Sequence, residues 1–321
     1  VQRRHVLICA AAAAACMPGL SSAQAYPSKP ITIIVPFAAG GGSDNIARLV
    51  AAKLSEKTGK TFVIDNRGGG GTNIGNDIAA RAAPDGYTLL LGQFTLSANP
   101  FLYGNLRYKT EAFVPVVHIA NAPTVLVVPA TSPIKDVQGL IAAAKASPGK
   151  LNYGSGGAGT SVHLAGELFR LSTATSLTHV PYKGSAPAVT DLIGGQIDMI
   201  FDTSTSALPY IKGGRVRAIA TAASQRLRAL PDVPTFAEQG LKDFDVPAWY
   251  GLLGPAGFPA QAVQWLNGHV NEILKDPAML AQLDGIGAIA VGGTPQQLGA
   301  FMGAQAARWE RVIKESHIKL D

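Results

Sequence analysis

Cysteine is nearly missing from this chain: there are two, Cys9 and Cys16, and none after them. No disulfide can brace the body of the fold, and no thiolate there can act as nucleophile or metal ligand. Charge is scarce too, at 15% of residues, and the Lys and Arg surplus is scattered, without a basic run or interleaved aromatics. Nucleic acid is therefore not an expected partner. After residue 25 nothing approaches the roughly 20 consecutive apolar residues that cross a bilayer. His118, His163, His179, His269 and His317 show no HExxH or other paired spacing and have no cysteines to join them, so neither a metal nor any other cofactor is expected.

The usual catalytic motifs are absent as well. There is no G-x-S-x-G, and although Ser155, Ser161 and His163 lie close in sequence, a helix-borne Ser-x-His pair does not face the way a Ser–His dyad must. Gly59-Lys60-Thr61 lacks the earlier glycine of a phosphate-binding P-loop and follows a helix instead of a strand. Asp44, Asp65, Asp191, Asp198 and Asp202 are explained more simply as caps and strand ends than as an acid–base pair.

What is present is a globular composition, 47% hydrophobic over 321 residues, long enough for two domains with a core each. Residues 1–25 read as an export leader: a basic start at Gln2-Arg3-Arg4, an apolar run from Val6 to Met17, and the small-x-small site Ala23-Gln24-Ala25. Cleavage is expected after Ala25, delivering the protein to the periplasm. Arg3-Arg4 also suits the twin-arginine route, and Cys16 weakly matches a lipoprotein acceptor; ordinary secretion is favoured. Both cysteines lie in this leader. Loss of Arg3 and Arg4 with it lowers the formal net charge from +6 to +4, a mild excess that suits anionic ligands.

The stretch Tyr26–Leu54 organises the rest. Ile31 to Phe37 is an apolar strand, and from Asp44 onward Ile46, Leu49, Val50 and Leu54 recur at helical spacing. Gly40, Gly41 and Gly42 join them, with Ser43 or Asp44 as the cap of a helix whose positive end can seat an anion. A turn in which glycine serves geometry alone is the competing reading. Thr61–Asp65 predicts a second strand, Asn66–Thr72 a second glycine loop, Asn73–Ala83 a helix and Tyr87–Leu91 a third strand, with Gly92-Gln93-Phe94-Thr95 as the loop beyond it. This is the doubly wound α/β pattern, in which ligands sit at the carboxyl ends of the strands.

A second cycle follows a strand at Val125–Val128. It comprises a helix beginning near Asp136, strand Leu151–Tyr153, loop Gly154–Thr160, helix Ser161–Leu171, strand Leu177–Tyr182, helix Pro187–Ile193 and strand Ile197–Phe201, ending at Asp202. Strand Val216–Thr221 leads into a proline-punctuated connector over Ala229–Gly240. Trp249–Leu253 predicts a last strand, and helices follow at Gln261–Leu274, Pro277–Leu283 and Pro295–Glu315. If Val125 and Trp249 lie on crossing strands, lobe 1 comprises residues 26–124 and 250–321, lobe 2 residues 125–249, and two crossings make a hinge that closes on a ligand. Gly154-Ser155-Gly156-Gly157-Ala158-Gly159 is a literal G-x-G-x-x-G. No acid lies between Ser172 and Thr190 to hold a ribose, so it reads as an anion loop and not a dinucleotide site.

The segment YPSKPITIIVPFAAGGGSD, followed in order by RGGGGTNIG, APDGYTLLLG, LNYGSGGAGTS, HVPYKGSAPAVTDLIGGQIDMIFD and LPDVPTFAEQG, resembles the receptors of tripartite tricarboxylate transporters, the Bug family of periplasmic solute-binding proteins. The resemblance runs through essentially the whole chain after the leader. It implies a type II periplasmic binding-protein fold of two doubly wound lobes and a function without catalytic turnover. The receptor would be a monomer that delivers a small organic acid to a large and a small membrane subunit. It also implies that Phe37, Ala39, Gly40 and Gly41 of the first loop and Ser155, Gly159 and Thr160 of the second hold the proximal carboxylate, partly through water. Thr95, Ser161, His163, Tyr182, Lys183 and Asp202 would line the remainder. Two readings stay beside it: an exported enzyme on a similar two-lobe fold, and a sensor that hands its liganded form to a signalling partner.

Overall fold

The computed structural model describes residues 26–320; the leader and its cleavage site lie outside the described residues. Ile31, Ile33 and Val35 are fully buried, and their β-branched side chains fit the centre of a sheet. They form β1 (Ile31–Val35), which runs parallel to β2 (Phe62–Asn66) on one side and β3 (Thr88–Gln93) on the other, with Ile33 opposite both Ile64 and Leu89. Parallel neighbours need crossover connections. α1 (Gly42–Thr58) supplies the first, burying Ile46, Val50 and Leu54 and stopping at Gly59, whose φ of 66° makes the left-handed cap. α2 (Asn73–Ala80) supplies the second.

β3 extends to Gln93, and where a loop is predicted the chain turns directly into α3 (Phe94–Leu102). Pro100 inside this helix masks it in the sequence. The carbonyl that proline leaves without its i+4 donor, that of Leu96, faces the Thr110 hydroxyl at 3.5 Å.

The strand expected only at Val125–Val128 is β4 (Phe113–Pro129), seventeen residues long. Pro115 and Pro123 make the sequence look punctuated, but a register shift at Pro115/Val117 takes up the first, another falls at His118/Ala120, and Pro123 lies opposite Pro247 in regular register. β4 changes company part way along. Residues 113–123 pair antiparallel with β9 (Pro247–Pro255), which also pairs with β3. From Thr124 onward β4 pairs with β7 (Met199–Thr203) and β8 (Val216–Ala222). At the changeover Thr124 donates both its N–H and its hydroxyl to the Val246 carbonyl, at 3.2 and 2.8 Å. Two passages of chain, at Thr124 and Val246, thus lie side by side between the two halves.

The second half repeats the first in outline. α4 (Val137–Ala146) leads to β5 (Asn152–Ser155), α5 (Ser161–Thr173), β6 (Thr178–Pro181) and α6 (Ser185–Ile193), and β7, β5 and β6 run parallel. α7 (Ser204–Lys212), absent from the sequence reading, starts immediately after β7. The connector over Ala229–Gly240 lays Pro234–Phe236 beside β8 by backbone hydrogen bonds to Thr221. The chain returns through α8 (Ala260–Ile273), α9 (Pro277–Gly285) and the short β10 (Ile289–Ala290) to α10 (Pro295–Glu315).

α10 spans both halves. Thr294 and Gln297 form a capping box at its start, and Leu298, Met302, Trp309 and Val312 make a buried stripe at helical spacing. Trp309 is fully buried, meets the edge of Phe94 at 4.9 Å and donates its indole N–H to Gln305 Oε1 at 2.8 Å. Through it one apolar core runs from Leu90, Phe94 and Leu253 in the first half to Tyr153, Phe169 and Phe201 in the second.

Candidate functional site

The carboxyl ends of β1, β2, β3 and β5 face one cleft of about 520 Å³ between the two halves. One wall comes from Pro36–Ala38 after β1, from the glycine loop after β2, and from Thr95, Asn99 and Tyr103 on α3. Gly156–Thr160, after β5, forms the other. No lining residue carries a formal charge. Polarity is supplied by hydroxyls, one amide and main-chain groups.

The second glycine loop is held from below by a polar network. Asn99 donates to the Gly71 carbonyl at 2.8 Å and to Asn73 Oδ1 at 2.7 Å, and the Tyr108 hydroxyl reaches the same Asn73 oxygen at 2.8 Å. Thr72 donates to the Thr95 hydroxyl at 2.8 Å. Glycine is required at position 71, where φ is 61° and a Cβ would stand 2.2 Å from the Tyr103 hydroxyl. Partial burial raises the Tyr103 phenol above its ordinary range, so it meets the cleft as a neutral hydroxyl.

The first loop departs from expectation in its capping. Gly41 is the N-cap of α1 and makes no side-chain cap; the buried Asp44 instead turns back to accept the Gly40 N–H at 2.8 Å. The same carboxylate accepts from Arg48 Nε at 2.8 Å and Asn66 Nδ2 at 3.0 Å. Its hydrogen bond to Arg48 outweighs burial and holds it below the usual carboxylate range. The Gly40 amide is thus already engaged within the protein. The Gly159 amide is as well, donating to His163 Nδ1 at 3.0 Å. At the head of α5 the Thr160 hydroxyl accepts from the His163 N–H at 3.3 Å and donates to the Gly157 carbonyl at 2.7 Å. The N–H groups of Ser161 and Val162, in the first turn, have no acceptor within the helix.

Of the residues expected at a ligand, Phe37, Thr95, Gly159 and Thr160 line the cleft. Ala39, Gly40 and Gly41 are exposed beside it, and Lys183 is exposed. Ser155, Ser161 and His163 are buried beneath and behind the Gly156–Thr160 loop. The Tyr182 hydroxyl donates to Asp191 Oδ2 at 2.8 Å. Asp202 is fully buried, its Oδ1 accepting from Ser185 Oγ at 2.6 Å and the Thr203 N–H at 2.8 Å, while its Oδ2 has no partner among the described residues. Asn99 and Tyr103 escaped the sequence reading because α3 did. Gly68, Gly69, Gly71 and Thr72 carried a signal, since their loop was placed at the same end of the sheet.

A second depression of about 620 Å³ lies between α8 and the start of α10, lined by Val114, Phe258 and Val263 among others. It is larger, but it belongs to one half only; the heads of α8 and α10 border it at Ala260 and Thr294–Gln296, and no glycine loop lines it. Among the described residues no group of three or more His, Cys, Asp or Glu is placed to hold a metal ion, and no helix is long and apolar enough to cross a membrane.

Residues 46–318 match the family described as "Tripartite tricarboxylate transporter family receptor". The chain is 42% identical over 294 residues to the "UPF0065 protein in tcbD-tcbE intergenic region" of a Pseudomonas species, covering 91% of this chain and 88% of that protein. Among solved structures it is similar to "R. palustris Rpa4515 with adipate", with TM-score 0.84, 37% identity, and 92% of this chain and 99% of that one covered. The periplasmic binding protein BugD gives TM-score 0.80 at 34% identity over 92% and 99% of the two chains. "MatC (Rpa3494) from Rhodopseudomonas palustris with bound malate" gives 0.79 at 32% over 90% and 100%.

Proposed function

Since this chain belongs to the tripartite tricarboxylate transporter receptor family, the periplasmic solute receptors of the Bug type, we propose that it captures a small carboxylate in the cleft between its halves and passes it to the large and small membrane subunits of such a transporter. It does so by binding alone, without turnover. The observation that carries this is a cleft walled by glycine loops and a helix head, with no cation at its surface. Main-chain N–H groups at a helix N-terminus stabilise an anion without the desolvation of an opposing lysine. That adipate and malate occupy two similar proteins supports a dicarboxylate as the first class to test.

In this reading the proximal carboxylate lies between the Phe37–Gly41 and Ser155–Thr160 loops, partly through water. The committed Gly40 and Gly159 amides leave the neighbouring N–H groups, those of Ser161 and Val162 included, to make the contacts. Thr95, Tyr182, Lys183 and Asp202 belong to the remainder of the site, to which the geometry adds Asn99 and Tyr103. The lobes are residues 26–124 with 250–321, and 125–249, closing about the passages at Thr124 and Val246. The leader is removed after Ala25, and the receptor is a monomer.

A thermal-shift screen of the protein from Tyr26 onward against organic acids and their amides tests this. A ligand at 100 times its dissociation constant stabilises by about 2.7 kcal/mol, a shift of roughly 5 °C at this size. An acid that shifts the melt while its diamide does not supports the reading. A shift only with nucleotides, or steady conversion of a bound acid to product, replaces it with the enzyme reading.

A further inference from the structure

Beneath the Gly154–Thr160 loop three rings are stacked. His163 of α5 lies on His179 of β6 with centroids 3.9 Å apart and planes 19° from parallel, and His179 lies on Tyr153 of β5 at 4.8 Å and 26°. Both imidazoles reach the loop. Gly159 donates its N–H to His163 Nδ1, and His179 Nε2 stands 2.7 Å from Ser155 Oγ, which in turn accepts the Gly157 N–H at 3.2 Å. The loop is fastened from below at each end by a histidine.

We propose that His163 is a positioning residue for ligand capture: a neutral ring carrying its proton on Nε2, whose Nδ1 takes the Gly159 N–H and so fixes the loop with the head of α5 turned to the cleft. This rests on the carboxylate-receptor reading of that cleft. Gly159 is buried with φ of 77°, and a Cβ there would stand 2.5 Å from Leu320 and 3.0 Å from Leu102. A residue with a side chain is thus excluded at this position, and the N–H of the buried glycine is spent on His163, a bond costly to leave unmade. A ring protonated at Nδ1 would set two donors against each other.

The surroundings keep the ring neutral. The titratable groups facing the stack are Glu167 and Arg170 on α5 and the phenol of Tyr153, which donates to Glu167 Oε1 at 2.6 Å. Glu167 is also paired with Arg170. Burial, then Arg170, pushes His163 down to about 4. Burial, then His163, pushes His179 to about 3. A ring that served packing alone would be replaceable by phenylalanine.

The test uses His163→Phe, which keeps a ring but removes the acceptor, and His163→Asn, which offers Oδ1 near the place of Nδ1. Amide exchange of residues 157–160 is expected to rise about tenfold or more in H163F, the size of one lost buried hydrogen bond, and to stay within about threefold of native in H163N. In the native protein, long-range ¹H–¹⁵N spectra of His163 are expected to show an unprotonated Nδ1 from pH 7 to pH 5. A proton on Nδ1 in that range, or loop exchange in H163F equal to native, overturns the proposal. If H163F does not fold, the native tautomer and H163N decide. Adipate adds a separate arm: binding by the native protein should weaken about tenfold in H163F and recover in H163N. Failure of adipate, malate and other acids to bind the native protein counts against the receptor reading, while the exchange data still judge the role of His163.

Discussion

Asp202 is a buried carboxylate held at a cost to the fold, and replacing it by asparagine should stabilise the protein at neutral pH. It has no exposure, its Oδ1 is bonded to Ser185 and Thr203, and its Oδ2 is buried without a partner among the described residues. Burial outweighs these hydrogen bonds and pushes its pKa from 3.8 up to about 6. The folded state therefore binds this proton more tightly than the unfolded chain does. Stability from this group is present at low pH and is lost as pH rises from about 4 through about 6. The gap corresponds to about 3 kcal/mol at pH 7. Asp202→Asn keeps the Oδ1 acceptor and leaves an unpartnered NH₂, which returns about 1 kcal/mol of that gain. The expected net is about 1–2 kcal/mol of added stability at pH 7, or roughly 2–5 °C in Tm, passing through zero to a loss of up to about 1 kcal/mol near pH 4, where only the cost of the unpartnered NH₂ remains. Urea melts of both proteins at pH 7, 5.5 and 4 measure it. A variant less stable than native at pH 7, or two parallel pH profiles, would show that Asp202 carries no such cost.

Gly71→Ala should destabilise the protein by about 1–3 kcal/mol, because it strains a left-handed backbone and drives a Cβ into the Tyr103 hydroxyl; adding Tyr103→Phe should recover part of the loss in a melt, which a purely backbone effect would not allow. The histidine stack predicts an acid slope of opposite sign to that of Asp202. His163 and His179 are held neutral when folded, so stability falls as pH drops from about 6.5 toward about 4, by up to about 3 kcal/mol for His163 alone. The slope in that window should flatten in H163N. Trp309→Ala should cost about 3–5 kcal/mol in a urea melt, as expected for emptying a fully buried indole site.

The regular parts of this fold were legible where apolar periodicity and glycine agreed. β1 with its three fully buried β-branched residues, the paired α/β cycles and α10 with its Thr294–Gln297 capping box all follow from local pattern. Proline hid the rest. Pro100 and Pro209 sit inside α3 and α7, and Pro115 and Pro123 inside β4, where tertiary context overrides local propensity; at Pro100 the freed Leu96 carbonyl meets the Thr110 hydroxyl. With α3 unseen, Asn99 and Tyr103 were out of reach, although the loops they face were not. The commitments of Gly40 to Asp44 and of Gly159 to His163 depend on side chains folding back four residues. Spacing makes such contacts feasible but does not select them.

A carboxylate held by main-chain N–H groups of the two facing loops, as proposed above, would move the resonances of those amides on binding. Amide chemical-shift mapping tests it directly, using the acid that gives the largest thermal shift and, as control, its diamide. The largest changes are expected on residues 37–43 and 156–162, with the diamide leaving them unmoved. Changes clustered instead on the apolar depression between α8 and α10, with both loops silent, would contradict it.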